Sequence, residues 1–105
     1  MVRRGQVWTW VRGAERHPVL VISNDEYNAL PEVPVWALVI VPGLPQSTPF
    51  GVHMCSDDPL PGASVSIPGL VQILDRGSLT ENHGYLAPGT LDSVEDALRE
   101  FMELT

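Results

Sequence analysis

The segment from Arg16 to Asp25 constrains the fold of this chain more than any other. It opens on two basic residues, passes through Pro18 into the apolar run Val19–Ile22 and ends at Asn24-Asp25. An uninterrupted apolar run of this length indicates a strand that is covered on both faces. Pro18 lacks a backbone N–H, which is tolerated where a strand begins. The segment therefore predicts a buried strand from Pro18 to Ile22, followed by a turn or a single helical turn, with Asn24 as its cap.

Further apolar runs between turn residues predict strands at 6–11, 35–41, 50–54, 64–67 and 70–74, and a brief strand at 84–86. Pro68-Gly69 is expected to separate two strand pieces by a bulge or bend. Apolar residues spaced by three and four predict a C-terminal helix that Thr90 caps and that continues to about residue 104. Strands followed by a closing helix predict an α+β fold: a bent antiparallel sheet, partly closed like an SH3 barrel, with the C-terminal helix packed on it. We expect residues 1–105 to form a single domain.

Composition and charge limit the classes of function. The chain is 44% hydrophobic but holds no apolar run near 18 residues, and no apolar segment follows Arg3 and Arg4, so we expect neither a membrane span nor a secretory signal. A single cysteine, Cys55, fits a reducing cytoplasm. The net charge is −7, and the basic residues are six arginines. Residues 1–17 hold four of them against one acid, whereas residues 75–105 hold seven acids against two arginines. The N-terminal part is therefore predicted to attract anions.

Several segments, in order and with compatible gaps, resemble the MazF/PemK-type toxins of type II toxin–antitoxin systems. These segments are Arg4–Trp8, Pro18–Asp25, Ser64-Val65, Ile73–Asp75, Leu79-Thr80, Leu86 and Asp92–Leu98. The resemblance implies a cytoplasmic homodimer that a cognate antitoxin inhibits. It also implies an endoribonuclease that cleaves single-stranded RNA through the 2′-hydroxyl without a metal ion or other cofactor.

The resemblance also implies a catalytic site at Arg16 and His17. Family members usually carry an arginine directly before the proline, whereas this chain has His17 there and Arg16 one position earlier. Arginine is a permanent, bidentate cation for phosphate, and histidine can transfer a proton near neutral pH. We therefore expect Arg16 to hold the phosphate while His17 acts as base or acid. The alternative is that His17 is a solvated or hydrogen-bonded bystander.

Two hydroxyl residues are further catalytic candidates. Family members commonly end the central strand with a Thr/Ser pair that contacts the scissile phosphate, but this chain has Val41-Pro42-Gly43 there. Its hydroxyls follow at Ser47 and Thr48, which are predicted to contact the phosphate. The alternative is that both cap the turn before Pro49.

Four residues are candidates for binding RNA: Trp10, Arg12, Gln72 and Arg76. Trp10 lies close to Arg12 and is predicted to stack on a base, with packing in the core or in a dimer interface as the alternative. Gln72 occupies a position at which some family members have an arginine.

Two other classes of function stay open because His17, Val41-Pro42 and Gln72 depart from the family pattern. One is a toxin that binds DNA gyrase without cutting nucleic acid, as the related CcdB toxins do. The other is a catalytically degenerate homologue that still binds antitoxin. A metal site is not predicted, since His53 and His83 lack metal-ligand spacing.

Overall fold

The computed structural model describes residues 2–42 and 50–103, and these form one antiparallel sheet with a helix packed on it. The strands are β1 (Gln6–Arg12), β2 (Glu15–Val21), β3 (Val35–Pro42), β4 (Gly51–His53), β5 (Ala63–Ile73) and β6 (Leu79–Tyr85). The helices are α1 (Asp25–Asn28) and α2 (Pro88–Phe101), and a 3₁₀ turn spans Arg76–Ser78. The strand order is β4-β5-β3-β2-β1-β6. The predicted α+β class, with a partly open sheet and a C-terminal helix, is confirmed.

Both faces of the sheet are covered by apolar side chains, as the run after Pro18 predicts. Side chains alternate along a strand, so Leu20 enters one core cluster while Val19 and Val21 enter the other. The first cluster lies between the sheet and α2, where Val94 is fully buried. The second lies on the opposite face, with Trp8 and Trp10 packed against it. The sheet thus carries a buried apolar cluster on each face.

The β1–β2 hairpin extends further than its apolar residues suggest. β2 begins at Glu15 and not at Pro18, because the pairing with β1 continues through Val11↔Arg16 to Arg12↔Glu15. Gly13, with φ of 63°, favours the tight turn that joins the two strands. The hairpin therefore carries charged residues on paired, ordered backbone.

The predicted cap of α2 is wrong. The N-cap residue is Ala87, which makes no side-chain capping bond, and Pro88 opens the helix. The fixed φ of proline suits the first helical turn, so the helix begins two residues before Thr90. Asn24, by contrast, caps α1 as predicted, since its side chain accepts a hydrogen bond from the Tyr27 N–H at 2.9 Å.

Thr90 contributes instead to a buried cluster around Asp58. The Asp58 carboxylate, only 5% exposed, accepts hydrogen bonds from the Cys55 N–H (2.6 Å), the Ala87 N–H (2.8 Å) and the Thr90 hydroxyl (2.8 Å). This Asp58 cluster joins the loop after β4 to the first turn of α2.

The last two strands also differ from prediction. β5 is one strand of 11 residues that runs through Pro68-Gly69, although a register shift against β3 confirms the expected bulge. β6 spans seven residues, whereas only 84–86 are predicted as strand. Its pairing with β1 shifts register twice, which is the mark of β-bulges.

Candidate functional site

Arg16, His17 and Pro18 line a groove at the end of the β1–β2 hairpin. One part, of about 690 Å³, is bounded by the end of β3 (Ile40–Pro42) and by the loop 59–63. An adjoining part, of about 280 Å³, shares Arg16, His17, Pro18 and Leu60 with the first and adds Thr9, Glu81 and His83. We call the two parts together the Arg16 groove. The antiparallel register Val19↔Val39 brings these elements together, because it sets the end of β3 beside the beginning of β2.

Arg16 presents an exposed guanidinium to this groove. It makes no ion pair or hydrogen bond with any other residue in the described ranges. By contrast, Arg4 pairs with Glu95 at 2.9 Å and Arg99 with Asp96 at 3.5 Å. The Arg16 side chain is therefore available to an anion, and its planar fork suits phosphate.

The His17 ring leaves the strand on the other face. Trp10 is the cross-strand partner of His17, and their ring centroids are 6.4 Å apart. The ring nitrogen Nε2 lies 3.0 Å from a carboxylate oxygen of Glu15. Because successive side chains of a strand point to opposite faces, Arg16 lies on the face of Thr9 and Pro18 while His17 lies on that of Trp10. Both residues line the groove, but they approach it from different sides.

Trp10 and Arg12 form an aromatic–cation pair beside His17. The Arg12 Cζ lies 5.7 Å from the centroid of the Trp10 ring, within range of a cation–π interaction. Trp10 also packs against the second core cluster and is partly buried. The packing interpretation of Trp10 is thus supported, and its stacking on a base stays a prediction.

Ser47 and Thr48 lie outside the described residues. Val41 and Pro42, the last described residues before them, line the Arg16 groove. Contact of the two hydroxyls with phosphate stays a prediction.

Gln72 and Arg76 lie away from the groove in this chain. Gln72 pairs with Trp36 near the start of β3, six residues or about 20 Å from the groove end at Pro42. The Arg76 guanidinium donates hydrogen bonds to the carbonyls of Asn28 (2.6 Å), Leu30 (3.2 Å) and Val33 (3.3 Å). A single chain does not bring Gln72 or Arg76 to Arg16, and their binding of RNA stays a prediction.

The structure adds three residues to the groove that the sequence pattern does not single out. The Thr9 hydroxyl is 2.7 Å from Nε2 of His83, and a Glu81 carboxylate oxygen is 3.8 Å from Nδ1 of the same ring. The only signal of Glu81 and His83 in the sequence is the polar run 81–84, which is also typical of a loop, and Thr9 lies within the predicted strand 6–11. The contact depends on the bulged register between β1 and β6, which the sequence pattern does not reveal.

Across residues 2–42 and 50–103, no three His, Cys, Asp or Glu side chains are gathered as a set of metal ligands. None of the helices in these ranges has the length and apolar character needed to cross a membrane.

The partly open sheet, its covering helix and the exposed arginine define a small α+β protein with a groove suited to an anion. Residues 3–102 match the family model of the PemK-like, MazF-like toxins of type II toxin–antitoxin systems, and the chain belongs to this family. The predicted family membership is thereby confirmed. No curated protein matches the sequence.

Solved structures agree with this assignment. An endoribonuclease in complex with its cognate antitoxin, from a mycobacterial species, is 27% identical with a TM-score of 0.87, and the match covers 100% of this chain and 98% of that one. A second mycobacterial endoribonuclease is 25% identical with a TM-score of 0.82, covering 98% and 92%. A MazE–MazF complex from Deinococcus radiodurans has a TM-score of 0.83 over 99% and 97%. At 19% identity, that last likeness supports the fold alone.

Proposed function

We propose that this toxin is an endoribonuclease that cleaves single-stranded RNA through the 2′-hydroxyl. The observation that carries the proposal is the unpaired Arg16 guanidinium in the groove of a MazF-like chain. Two proteins of similar structure, at 27% and 25% identity, are described as endoribonucleases, which supports it.

The proposed chemistry is a transesterification within the RNA. The 2′-oxygen of the RNA attacks the adjacent phosphorus and the bond to the 5′-oxygen breaks, leaving a 2′,3′-cyclic phosphate and a 5′-hydroxyl. Such a step needs a base, a stabiliser of phosphate charge and an acid. Arg16 supplies the bidentate cation for the phosphate oxygens. His17, at the rim of the same groove, transfers a proton.

The charge of the molecule favours a short, single-stranded substrate. With a net charge of −7, the chain offers few cations to track a long phosphate backbone. Trp10 and Arg12 offer a platform on which an unpaired base can stack beside the groove. Single-stranded RNA presents both an accessible base and the 2′-hydroxyl.

We further propose that the toxin acts in the cytoplasm as a homodimer under the control of a cognate antitoxin. The 27%-identical mycobacterial structure is a complex with such an antitoxin. An antitoxin segment laid over the Arg16 groove, extended or helical, would cover the guanidinium and exclude RNA.

The test is cleavage of RNA oligonucleotides of varied sequence by the purified protein, with product ends identified by mass spectrometry. We expect a 2′,3′-cyclic phosphate and a 5′-hydroxyl. Arg16→Ala should slow cleavage by about 10²-fold or more, because the phosphate loses its charge-assisted hydrogen bonds. Arg99→Ala is the matched control, since Arg99 is exposed on α2 and lies outside the groove. Full activity of both Arg16→Ala and His17→Ala would exclude this site.

Assays on the same purified protein distinguish the two other classes of function, a gyrase-binding toxin and a catalytically degenerate homologue. A protein that leaves RNA intact but blocks supercoiling by purified gyrase would be a gyrase-binding toxin. One that does neither, and still binds its antitoxin, would be a degenerate homologue.

A further inference from the structure

A second histidine lies in the Arg16 groove, on the face of the sheet that carries the arginine. His83 lines the groove together with Thr9, Arg16 and Glu81, and 23% of its side chain is exposed. Thr9 pairs with Pro18 across the hairpin, so its hydroxyl shares a face with the Arg16 side chain. The imidazole that shares this face is thus that of His83, since His17 turns towards Trp10.

A β-bulge in β6 sets the position of the His83 side chain. Val7 pairs with Gly84 and Trp8 with Asn82, so His83 is the extra residue between two consecutive pairs. Gly84, with φ of 102°, adopts a conformation that L-residues rarely take. Bulges of this kind redirect a side chain and are enriched beside active sites. Here the redirected ring reaches the Thr9 hydroxyl.

The surroundings of the ring support one arrangement of its proton, since Nδ1 lies 3.8 Å from a Glu81 carboxylate oxygen and Nε2 lies 2.7 Å from the Thr9 hydroxyl. The Glu81 carboxylate near Nδ1 favours the tautomer with its proton on that nitrogen. Nε2 then carries the lone pair and accepts a hydrogen bond from the Thr9 hydroxyl at 2.7 Å. A hydroxyl, an imidazole and a carboxylate in this order form a chain that can accept a proton at the hydroxyl end.

We propose that His83 is the general base of the reaction and that Thr9 relays the proton to it; the inference rests on the proposed ribonuclease function. As the 2′-oxygen bonds to phosphorus, its proton passes to Oγ1 of Thr9 and the Thr9 proton passes to Nε2 of His83. The bond from phosphorus to the 5′-oxygen breaks, and that oxygen takes a proton from protonated His17. Exchange with water then restores both histidines, while Arg16 holds the phosphate.

Rates on a short RNA test the two residues. We expect His83→Gln and Thr9→Val to lower kcat by about 10²-fold or more, the typical contribution of general base catalysis. Thr9→Ser keeps the hydroxyl and should restore most of the rate that Thr9→Val loses. His53→Gln is the matched histidine control, because His53 bonds Ser64 at 3.0 Å and lines a different groove. Thermal unfolding of each variant checks that the fold is retained.

A substrate with sulfur in place of the scissile 5′-oxygen separates base from acid. Its thiolate leaves without a proton, so an enzyme that lacks its acid regains rate, whereas one that lacks its base does not. We expect His17→Gln to recover on this substrate and His83→Gln to stay slow. A merely structural role of His83 would lower the unfolding temperature of His83→Gln together with its rates, whereas loss of the base lowers the rates at an unchanged unfolding temperature.

The outcomes distinguish a failure of the proposed function from a failure of the inference about His83 and Thr9. A wild-type protein that cleaves no RNA overturns the proposed function and this inference with it. Cleavage by the wild type with undiminished rates for His83→Gln and Thr9→Val overturns the inference alone. Recovery of His83→Gln on the sulfur substrate also overturns it, because His83 would then be the acid.

Discussion

At the scale of single residues, two arginines of the same chain have opposite surroundings. Arg16 faces a groove and has no ion pair among the described residues, whereas Arg76 donates hydrogen bonds to three carbonyls in the segment 28–33. The sequence predicts RNA contact for both. It identifies Arg16 through the neighbouring Pro18, but nothing local indicates that Arg76 reaches carbonyls more than 40 positions away.

Arg76→Ala is therefore expected to act on stability. Loss of its charged hydrogen bonds leaves the partly buried carbonyls of Asn28 and Val33 without this donor and should cost about 1–3 kcal/mol. For a domain of this size, each 1 kcal/mol lowers Tm by about 4–8 °C. Arg76→Lys should restore little, since one ammonium cannot span three carbonyls. Thermal unfolding measures the effect, with Arg99→Ala as control. A variant that keeps its Tm but loses RNA cleavage would instead support the predicted RNA contact.

At the scale of elements, apolar patterning predicts the covered strands well and the polar ones poorly. β2 and β3 are signalled by continuous apolar runs, and α2 by its apolar stripe. Most of β6 is missed because Thr80–His83 are polar and the strand lies at an edge of the sheet. Thr90 is misassigned because its hydroxyl bonds to Asp58, a tertiary contact that local capping rules do not contain. Most of the fold is thus predictable, while the Thr9–His83 contact is not, because a bulge sets it.

The Asp58 cluster yields a prediction at this scale. Asp58→Ala removes the acceptor of three hydrogen bonds and leaves two backbone N–H groups unsatisfied, so we expect a loss of about 2–4 kcal/mol. Asp57→Ala is the matched control, since Asp57 is adjacent, exposed and outside the cluster. Denaturant unfolding of both variants provides the measurement. Equal stability of the two would show that the cluster does not hold α2 to the sheet.

At the scale of the whole molecule, the chain is acidic, but the Arg16 guanidinium places a positive charge in the groove where the chemistry is proposed. Net charge weakens the attraction of distant phosphates, so recognition depends on the hairpin end and not on a broad basic surface. The two core clusters hold that hairpin in place from both sides. The fold thereby packs the hairpin on both faces, and the proposed chemistry depends on a few residues at one end of the sheet.

The segment from Asp58 to Gly62 contacts the start of α2 and also lines the Arg16 groove. Its first residue bonds to the start of α2, and the four that follow line the Arg16 groove, which α2 itself does not line. Anything that opens this segment locally must break the bonds at the helix start. A ligand in the groove should therefore slow amide hydrogen exchange at Cys55 and Ala87, since it favours the closed form.

A 2′-O-methyl RNA, which lacks the attacking hydroxyl, serves as the ligand for this measurement by NMR. Slower exchange confined to β1 and β2 would show that the segment opens independently of the groove. If Cys55 and Ala87 are protected as well, the first turn of the helix reports the occupancy of a groove that it does not touch.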